Sequence, residues 1–275
     1  MITKINSDLR GLTDWLNANR ISLNSGKTEY VLFRHPNKIV NLDIKIKLNG
    51  KRLFPSKFIR YLGILVDENL TWKFHIHELN KKLSRANSML CKIRYFVDSK
   101  TLRSIYYAIF SSHLTYCSHI WGQKGNPAVL KVESLQRKAI RIINFAPFRC
   151  KTSDLFSKSE ILTFSDHMLF TNCLFIFDQF KYNIPDPLSN FFVTTNNLYS
   201  HETKSSKLGK LFQNHVHNRY GKFSIRNQCI SDWNTHIQEI NHLLNAQYIS
   251  KNEATPEIKQ LSRMQFKNLI LEYLC

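Results

Sequence analysis

"FIRYLGILVDENLTWKFHI", residues 58–76, decides how the rest of the chain is read. Ile59, Leu62, Ile64, Leu65 and Val66 make a nearly continuous apolar run, which predicts a buried strand with Gly63 in its middle. A glycine inside a strand marks a bulge or a close backbone approach. Asp67-Glu68 at the strand exit reads as a solvated turn. From Thr71 the apolar period changes from two to between three and four, so a helix begins there.

Upstream, Ile44, Ile46 and Leu48 alternate with Lys45 and Lys47, and Asn49-Gly50 supplies a tight hairpin turn. "RISLNSGKTEYVLF", residues 20–33, divides at Asn24-Ser25-Gly26 into two short β-prone runs. Residues 5–19 carry Ile5, Leu9, Leu12 and Leu16 at helical spacing. Residues 20–66 therefore predict a small antiparallel sheet with one helix on it.

Downstream, Ile76, Leu79, Leu83, Ala86, Leu90, Ile93 and Val97 form one apolar face of a long helix. Lys81, Arg85 and Lys92 form a basic stripe on its other side. Ser99 is the expected cap of a second helix through Leu102, Ile105, Tyr106, Ile109 and Phe110. After Gly125-Asn126-Pro127, a third helix turns Ala128, Val132, Leu135, Ala139 and Ile142 inward, with Lys131, Arg137, Lys138 and Arg141 outward. Residues 160–181 read as an apolar helix, 183–207 as a polar loop, and Tyr220 to Leu244 as a segment ending in helix. The expected class is α+β, with a small sheet and helix over 1–70, helices over 71–150 and a helical region over 151–275.

Composition points to partners. Lys and Arg number 39 against 20 Asp and Glu, a formal charge of +19, and such an excess favours polyanions. The hydrophobic share of 43% supports a real core. The six cysteines are scattered without a C-x-x-C pair, as in a reduced, intracellular protein. The first residues carry Lys4, Asp8 and Arg10, unlike a secretion signal, and no apolar stretch is long enough for a membrane span.

Few motifs carry chemistry. "NSGKTE" lacks the first glycine of a phosphate loop. His113 and Cys117 share i, i+4 spacing on an expected helix, yet no second ligand pair completes a metal site. Two-metal phosphoryl transfer needs adjacent carboxylates, and the sequence contains no Asp-Asp.

Five stretches together resemble the reverse transcriptases of jockey-like non-LTR retrotransposons, which are RNA-directed DNA polymerases encoded by transposable elements. "WLNANRISLNSGKTEYVLF" is similar to the segment after the catalytic strand, with Asn24, Lys27, Thr28 and Glu29 in register. "YLGILVDENLTWKFHI" resembles the next block through Tyr61-Leu62-Gly63, Asp67, Leu70, Trp72 and His75-Ile76. "SHLTYCSHIW" and "VESLQRKAIRII" resemble the thumb, and "SHETKSS…NRYGKFSIRNQCISDWN" the tail. The resemblance runs in order from about residue 1 to 245.

The resemblance implies the end of the palm over 1–70, the thumb over 71–150 and the tail over 151–275. It implies a primer-grip hairpin at Tyr61, Leu62 and Gly63, whose glycine lets a sugar-phosphate backbone come close. It places Lys27 near the incoming nucleotide's phosphates as a proton donor. Lys81, Arg85, Lys92, Lys131, Arg137, Lys138 and Arg141 would track phosphates along RNA and DNA primer-template. The family's aromatic-x-Asp-Asp motif has no counterpart here. The chain is thus expected to be a truncated polymerase, inactive alone, binding no cofactor itself, while Mg²⁺ serves the full-length enzyme. Further partners are the missing palm and fingers, and the expected compartment is nuclear or cytoplasmic. Two other readings stay open: a repurposed non-catalytic basic nucleic-acid-binding protein, and a protein-interaction remnant that packs on a missing palm.

Overall fold

The computed structural model describes residues 2–38, 44–182, 188, 191–195, 208–217, 219–249 and 257–274. The expected loop at 183–207 lies largely outside these residues. The chain divides after Glu78 into two compact units, 1–78 and 79–275.

In the first unit the helix α1 (Ile2–Ala18) lies on the hairpin of β1 (Ile46–Leu48) and β2 (Lys51–Leu53). Asn49 and Gly50 both take positive φ, +48° and +74°, which makes the turn type I′. Ile5 and Leu9 pack against the buried Ile46, Leu48 and Leu53. The Asn6 amide stands in for a strand on the open edge of β1. It donates to the Lys45 carbonyl at 3.0 Å and accepts from the Lys47 N–H at 2.9 Å.

The run at 58–67 is not one strand. It folds into a second hairpin, β3 (Phe58–Tyr61) against β4 (Ile64–Asp67), with Tyr61 opposite Ile64. Leu62 and Gly63 form the turn with φ of +44° and +86°. A continuous run of apolar residues is compatible with either form, and Gly63 marks a reversal of direction. The two β-prone runs at 20–33 also do not form strands. Ser25–Lys27 is one turn of 3₁₀ helix capped by Asn24, and Tyr30 makes a lone parallel bridge to Pro55. The expected single sheet is therefore two separate two-stranded hairpins.

Asp67-Glu68 is not a solvated turn either. Asp67 is only 4% exposed. Its carboxylate accepts from the Thr71 N–H at 2.8 Å, the Thr71 hydroxyl at 2.8 Å and the Trp72 N–H at 3.0 Å. Those bonds hold a bend in which Leu70 and Trp72 both take positive φ, 50° and 62°. Glu68 pairs with Arg34, at 3.2 Å and 3.3 Å across two oxygens.

The helix α2 (Lys73–Ile93) starts in the first unit and runs on into the second. Phe58 and Phe74 stack at 5.0 Å beside its start. Next come α3 (Ser99–Tyr106), a π turn over Tyr107–Ser111, and the short α4 (Ser112–Thr115) and α5 (Ser118–Trp121). Asp98, one residue before the expected Ser99, caps α3 by accepting from the Lys100 and Thr101 N–H groups. Cys117 sits at φ +48° between α4 and α5, so His113 and Cys117 do not share one helical face. The helix α6 (Val129–Ile143) is followed by α7 (Ser153–Ser159) and α8 (Phe164–Lys181). The buried Gln136 ties them together: its amide nitrogen donates to the Leu162 carbonyl at 2.9 Å, and its oxygen accepts from the Phe164 N–H at 2.8 Å.

The remaining described helices are α9 (Arg219–Lys222), α10 (Ile225–Ile249), a 3₁₀ turn over Ile258–Gln260 and α11 (Arg263–Leu274). α8, α10 and α11 enclose an apolar cluster with Ile176, Trp233, Ile237 and Ile240, where Phe177 and Phe266 stack at 4.2 Å. No helix among the described residues is long and apolar enough to cross a membrane.

Candidate nucleic-acid interface

The residues expected to meet nucleic acid fall in both units. In the first, the β3–β4 turn carries Tyr61 and Leu62 at its tip, 64% and 73% exposed, with Gly63 beside them. A type I′ turn is most easily built from residues tolerant of positive φ. Gly63 meets that need without strain, whereas Leu62 holds the conformation against the clash of its own Cβ. Lys27 is exposed at the end of the 3₁₀ turn, whose backbone is closed by its own N–H donating to Asn24 Oδ1 at 3.2 Å.

In the second unit, Lys81, Arg85 and Lys92 are exposed along one face of α2, opposite Leu79, Leu83, Ala86 and Leu90. On α6, Lys131 and Lys138 are exposed as expected. Arg137 and Arg141 are drawn partly inward. Arg137 lies 3.7 Å from Glu133 one turn back, and Arg141 donates through Nε to the Cys150 carbonyl at 3.1 Å. These two arginines brace α6 and the turn after it, and their positive charge adds to the surface. The helices meet where Asn87 of α2 donates to the Leu135 carbonyl of α6 at 3.0 Å.

The charge pattern is one-sided. No acidic residue lies between Glu78 and Asp98, and none between Glu133 and Asp154. Five Lys and Arg occupy each of these stretches. The excess of cations in these stretches, only Arg137 of which is described as paired with a bordering acid, suits a phosphate backbone.

The adjacent carboxylates Asp67 and Glu68 are engaged within the chain. Asp67 spends its oxygens on the Thr71 and Trp72 donors, and Glu68 is held by Arg34. Among the described residues no three His, Cys, Asp or Glu side chains cluster as metal ligands.

Buried polar groups elsewhere serve the fold. Lys124 Nζ donates to Asp232 at 2.7 Å, and Asn172 donates to the other oxygen of Asp232 at 2.7 Å. His119 Nδ1 lies 3.2 Å from the Asn172 oxygen, and His167 Nε2 lies 3.4 Å from Ser118 Oγ. Burial lowers the pKa of His119 below the ordinary value; for His167, burial and the neighbouring His119 bring it down to about 4.

Sequence reasoning passed over the aromatic residues that follow α2 and α6. "RYF" at 94–96 and "FAPFR" at 145–149 interleave rings with arginine, the signal by which they could have been found.

The chain is similar in sequence to polymerases of mobile elements. It is 28% identical over 152 residues to the RNA-directed DNA polymerase from mobile element jockey of Drosophila funebris, covering 54% of this chain and 16% of that protein. It is 29% identical over 123 residues to a retrovirus-related Pol polyprotein from the type-1 retrotransposable element R1 4 of Nasonia vitripennis, covering 44% of this chain and 30% of that protein. It is 21% identical over 166 residues to the probable RNA-directed DNA polymerase from transposon X-element of Drosophila melanogaster, 57% and 17% of the two lengths. The chain is thus similar in sequence to RNA-directed DNA polymerases of jockey-, R1- and X-element-type retrotransposons. It spans less than a third of the length of these relatives. No protein-family model matches the chain, and no solved structure matches it.

Proposed function

We propose that this chain supplies a primer-template-holding part of a non-LTR retrotransposon RNA-directed DNA polymerase and has no catalytic carboxylate pair of its own. In this reading residues 1–70 are the end of the palm, 71–150 the thumb and 151–275 the tail. The observation that carries the reading is the pair of acid-free stretches at 79–97 and 134–153, with Lys81, Arg85, Lys92 and Lys138 exposed and Lys131 exposed just before the second, in a chain similar to such polymerases. Cations at helical spacing meet phosphates along a duplex without reading its bases. The hairpin tip at Tyr61, Leu62 and Gly63 is the element we assign to the primer end. Lys27 is assigned to the phosphates of the incoming nucleotide, where it would donate a proton to the leaving group. RNA and DNA are the partners, in the nucleus or cytoplasm, and any Mg²⁺ is held by residues other than these.

The test is binding to a labelled RNA–DNA hybrid as salt rises. Log affinity falls linearly with log salt, at about −0.7 to −0.9 per phosphate neutralised. Replacing Arg85, Lys92, Lys131 and Lys138 together by glutamine flattens the slope by about one for each phosphate no longer neutralised. An undetectable affinity at low salt overturns the proposal. The purified chain extends no primer with Mg²⁺ or Mn²⁺; extension would refute the absence of its own catalytic pair.

A second reading has its own observation. Leu12 and Trp15 of α1 are 45% and 58% exposed, and no residue of α1 is fully buried. An apolar helix face of this kind suits a protein neighbour, and self-association that disappears in Leu12→Lys/Trp15→Lys would support it.

A further inference from the structure

The ends of α2 and α6 carry a second feature that phosphate tracking does not use. Beyond α2, Arg94 lies over the Tyr95 ring at 4.6 Å and over the Phe145 ring at 5.1 Å. Tyr95 and Phe145 meet edge-on with centroids 6.1 Å apart, and the Arg94 guanidinium also donates to the Tyr95 hydroxyl. In the last turn of α6, Arg141 lies over the Phe148 ring at 5.8 Å while donating to the Cys150 carbonyl. Phe96 and Phe148 are 87% and 83% exposed, the two most exposed large apolar side chains among the described residues.

The backbone presents these rings on short, closed turns. Phe145 ends α6 at φ +52°, with its N–H donating to the Ile142 carbonyl and the Ala146 N–H to the Arg141 carbonyl. That bond pattern ordinarily takes glycine at the left-handed position. Pro147 and Cys150 close the next turn through a 3.1 Å backbone bond, and Phe96 N–H closes on the Ile93 carbonyl at 2.8 Å. Lone exposed phenylalanines are common. Here one directly follows Tyr95 and the other lies three residues after Phe145, in two stretches that hold ten cations and no acid. The acids nearest in sequence are engaged: Asp98 caps the start of α3, and Asp154 accepts from the Ser153 hydroxyl at 2.8 Å.

We propose that Phe96 and Phe148, supported by the Arg94–Tyr95–Phe145 cluster, form a stacking platform for unpaired nucleotides of a single-stranded RNA or DNA segment. Exposed rings beside guanidinium groups fit bases on a phosphate backbone, since every base offers a flat face and every phosphate a negative charge. A duplex conceals its base faces, so the platform engages strand that is not paired. An apolar protein surface would match the rings and leave the arginines unanswered. The platform rests on the nucleic-acid reading above and adds a strand preference to it.

The test uses the full chain, a single-stranded RNA and DNA oligonucleotide, the same lengths with abasic sugars, and a hybrid duplex. Phe96→Ala/Phe148→Ala is expected to weaken single-strand binding by about tenfold or more, because the bases no longer stack. Duplex affinity, the salt slope and the unfolding midpoint stay unchanged, because the rings touch no phosphate and are exposed. Wild type discriminates against abasic strand, and the variant does not. Single-strand affinity of the variant equal to wild type overturns the platform, as does indifference of the wild type to missing bases. An equal weakening on strand and duplex also overturns it. So does a changed self-association at unchanged affinity, which would assign the rings to a protein contact. In each of these cases salt-dependent duplex binding would persist, so failure of the platform is distinct from failure of the broader reading, in which no nucleic acid binds at all.

Discussion

Replacing Asp67 by alanine removes a carboxylate, itself only 4% exposed, that accepts from the half-buried Thr71 and Trp72 N–H groups. Hydrogen bonds to a charged group are worth about 1.5–3 kcal/mol each, so a destabilisation of about 2–5 kcal/mol is expected in urea unfolding. Asp67→Asn keeps the shape and part of the bonding and should destabilise less. An Asp67→Ala midpoint equal to wild type would refute the clamp. Gly122 is a second decisive position, since a Cβ there would lie 2.7 Å from Phe164 Cζ and 2.8 Å from the Ser118 carbonyl oxygen. Gly122→Ala, ordinarily helpful at a helix end, should therefore destabilise by about 1–3 kcal/mol, checked by thermal unfolding. Neither role was legible in the sequence. An acidic residue after an apolar run is usually exposed, and only the bend at Leu70 to Trp72 turns two N–H groups back onto the Asp67 oxygens.

At the level of elements, the β3–β4 turn is strained by Leu62 at φ +44°. Leu62→Asn should stabilise the first unit by about 0.5–1 kcal/mol, because asparagine tolerates the left-handed region and the leucine is exposed. If primer binding falls in this variant while the unfolding midpoint rises, the tip contacts nucleic acid; if binding is unchanged, the assignment of the turn to the primer end fails. The helices α1, α2 and α6 were legible because a 3.6-residue period is written locally in which side chains are apolar. The hairpins over 20–66 were legible only in part. Asn49-Gly50 names its turn, whereas at Leu62-Gly63 the apolar pattern reads as one strand and only the family resemblance implies the hairpin that pairs Tyr61 with Ile64.

At the scale of the second unit, two buried imidazoles are expected to contribute to acid stability. His119 and His167 both have pKa values held below the ordinary histidine value, His167 at about 4. The unfolded chain takes up these protons near pH 6.5 and the folded chain does not, so stability is full above pH 6.5 and declines as pH falls toward 4. His167 alone accounts for about 3 kcal/mol of that decline. Urea midpoints between pH 7 and 4 should show the decline, and His119→Asn/His167→Gln should flatten it. An unchanged acid limb in the double variant would place the titration elsewhere. The same region holds the Lys124–Asp232–Asn172 contacts, which join residues 60 and 108 positions apart.

The sequence by itself determined the helical periods, the +19 charge, the two acid-free basic stretches and the resemblance to retrotransposon polymerases. All of these are properties of residue identity and local spacing, which need no knowledge of distant neighbours. Tertiary structure alone decided the register of the hairpin at Leu62-Gly63, the burial of Asp67 and the meeting of Arg94 with Phe145. Each depends on contacts whose partners are unspecified by period or composition. An apolar run can pair with itself or with another strand, and an arginine acquires its aromatic neighbour only when α2 and α6 have packed side by side.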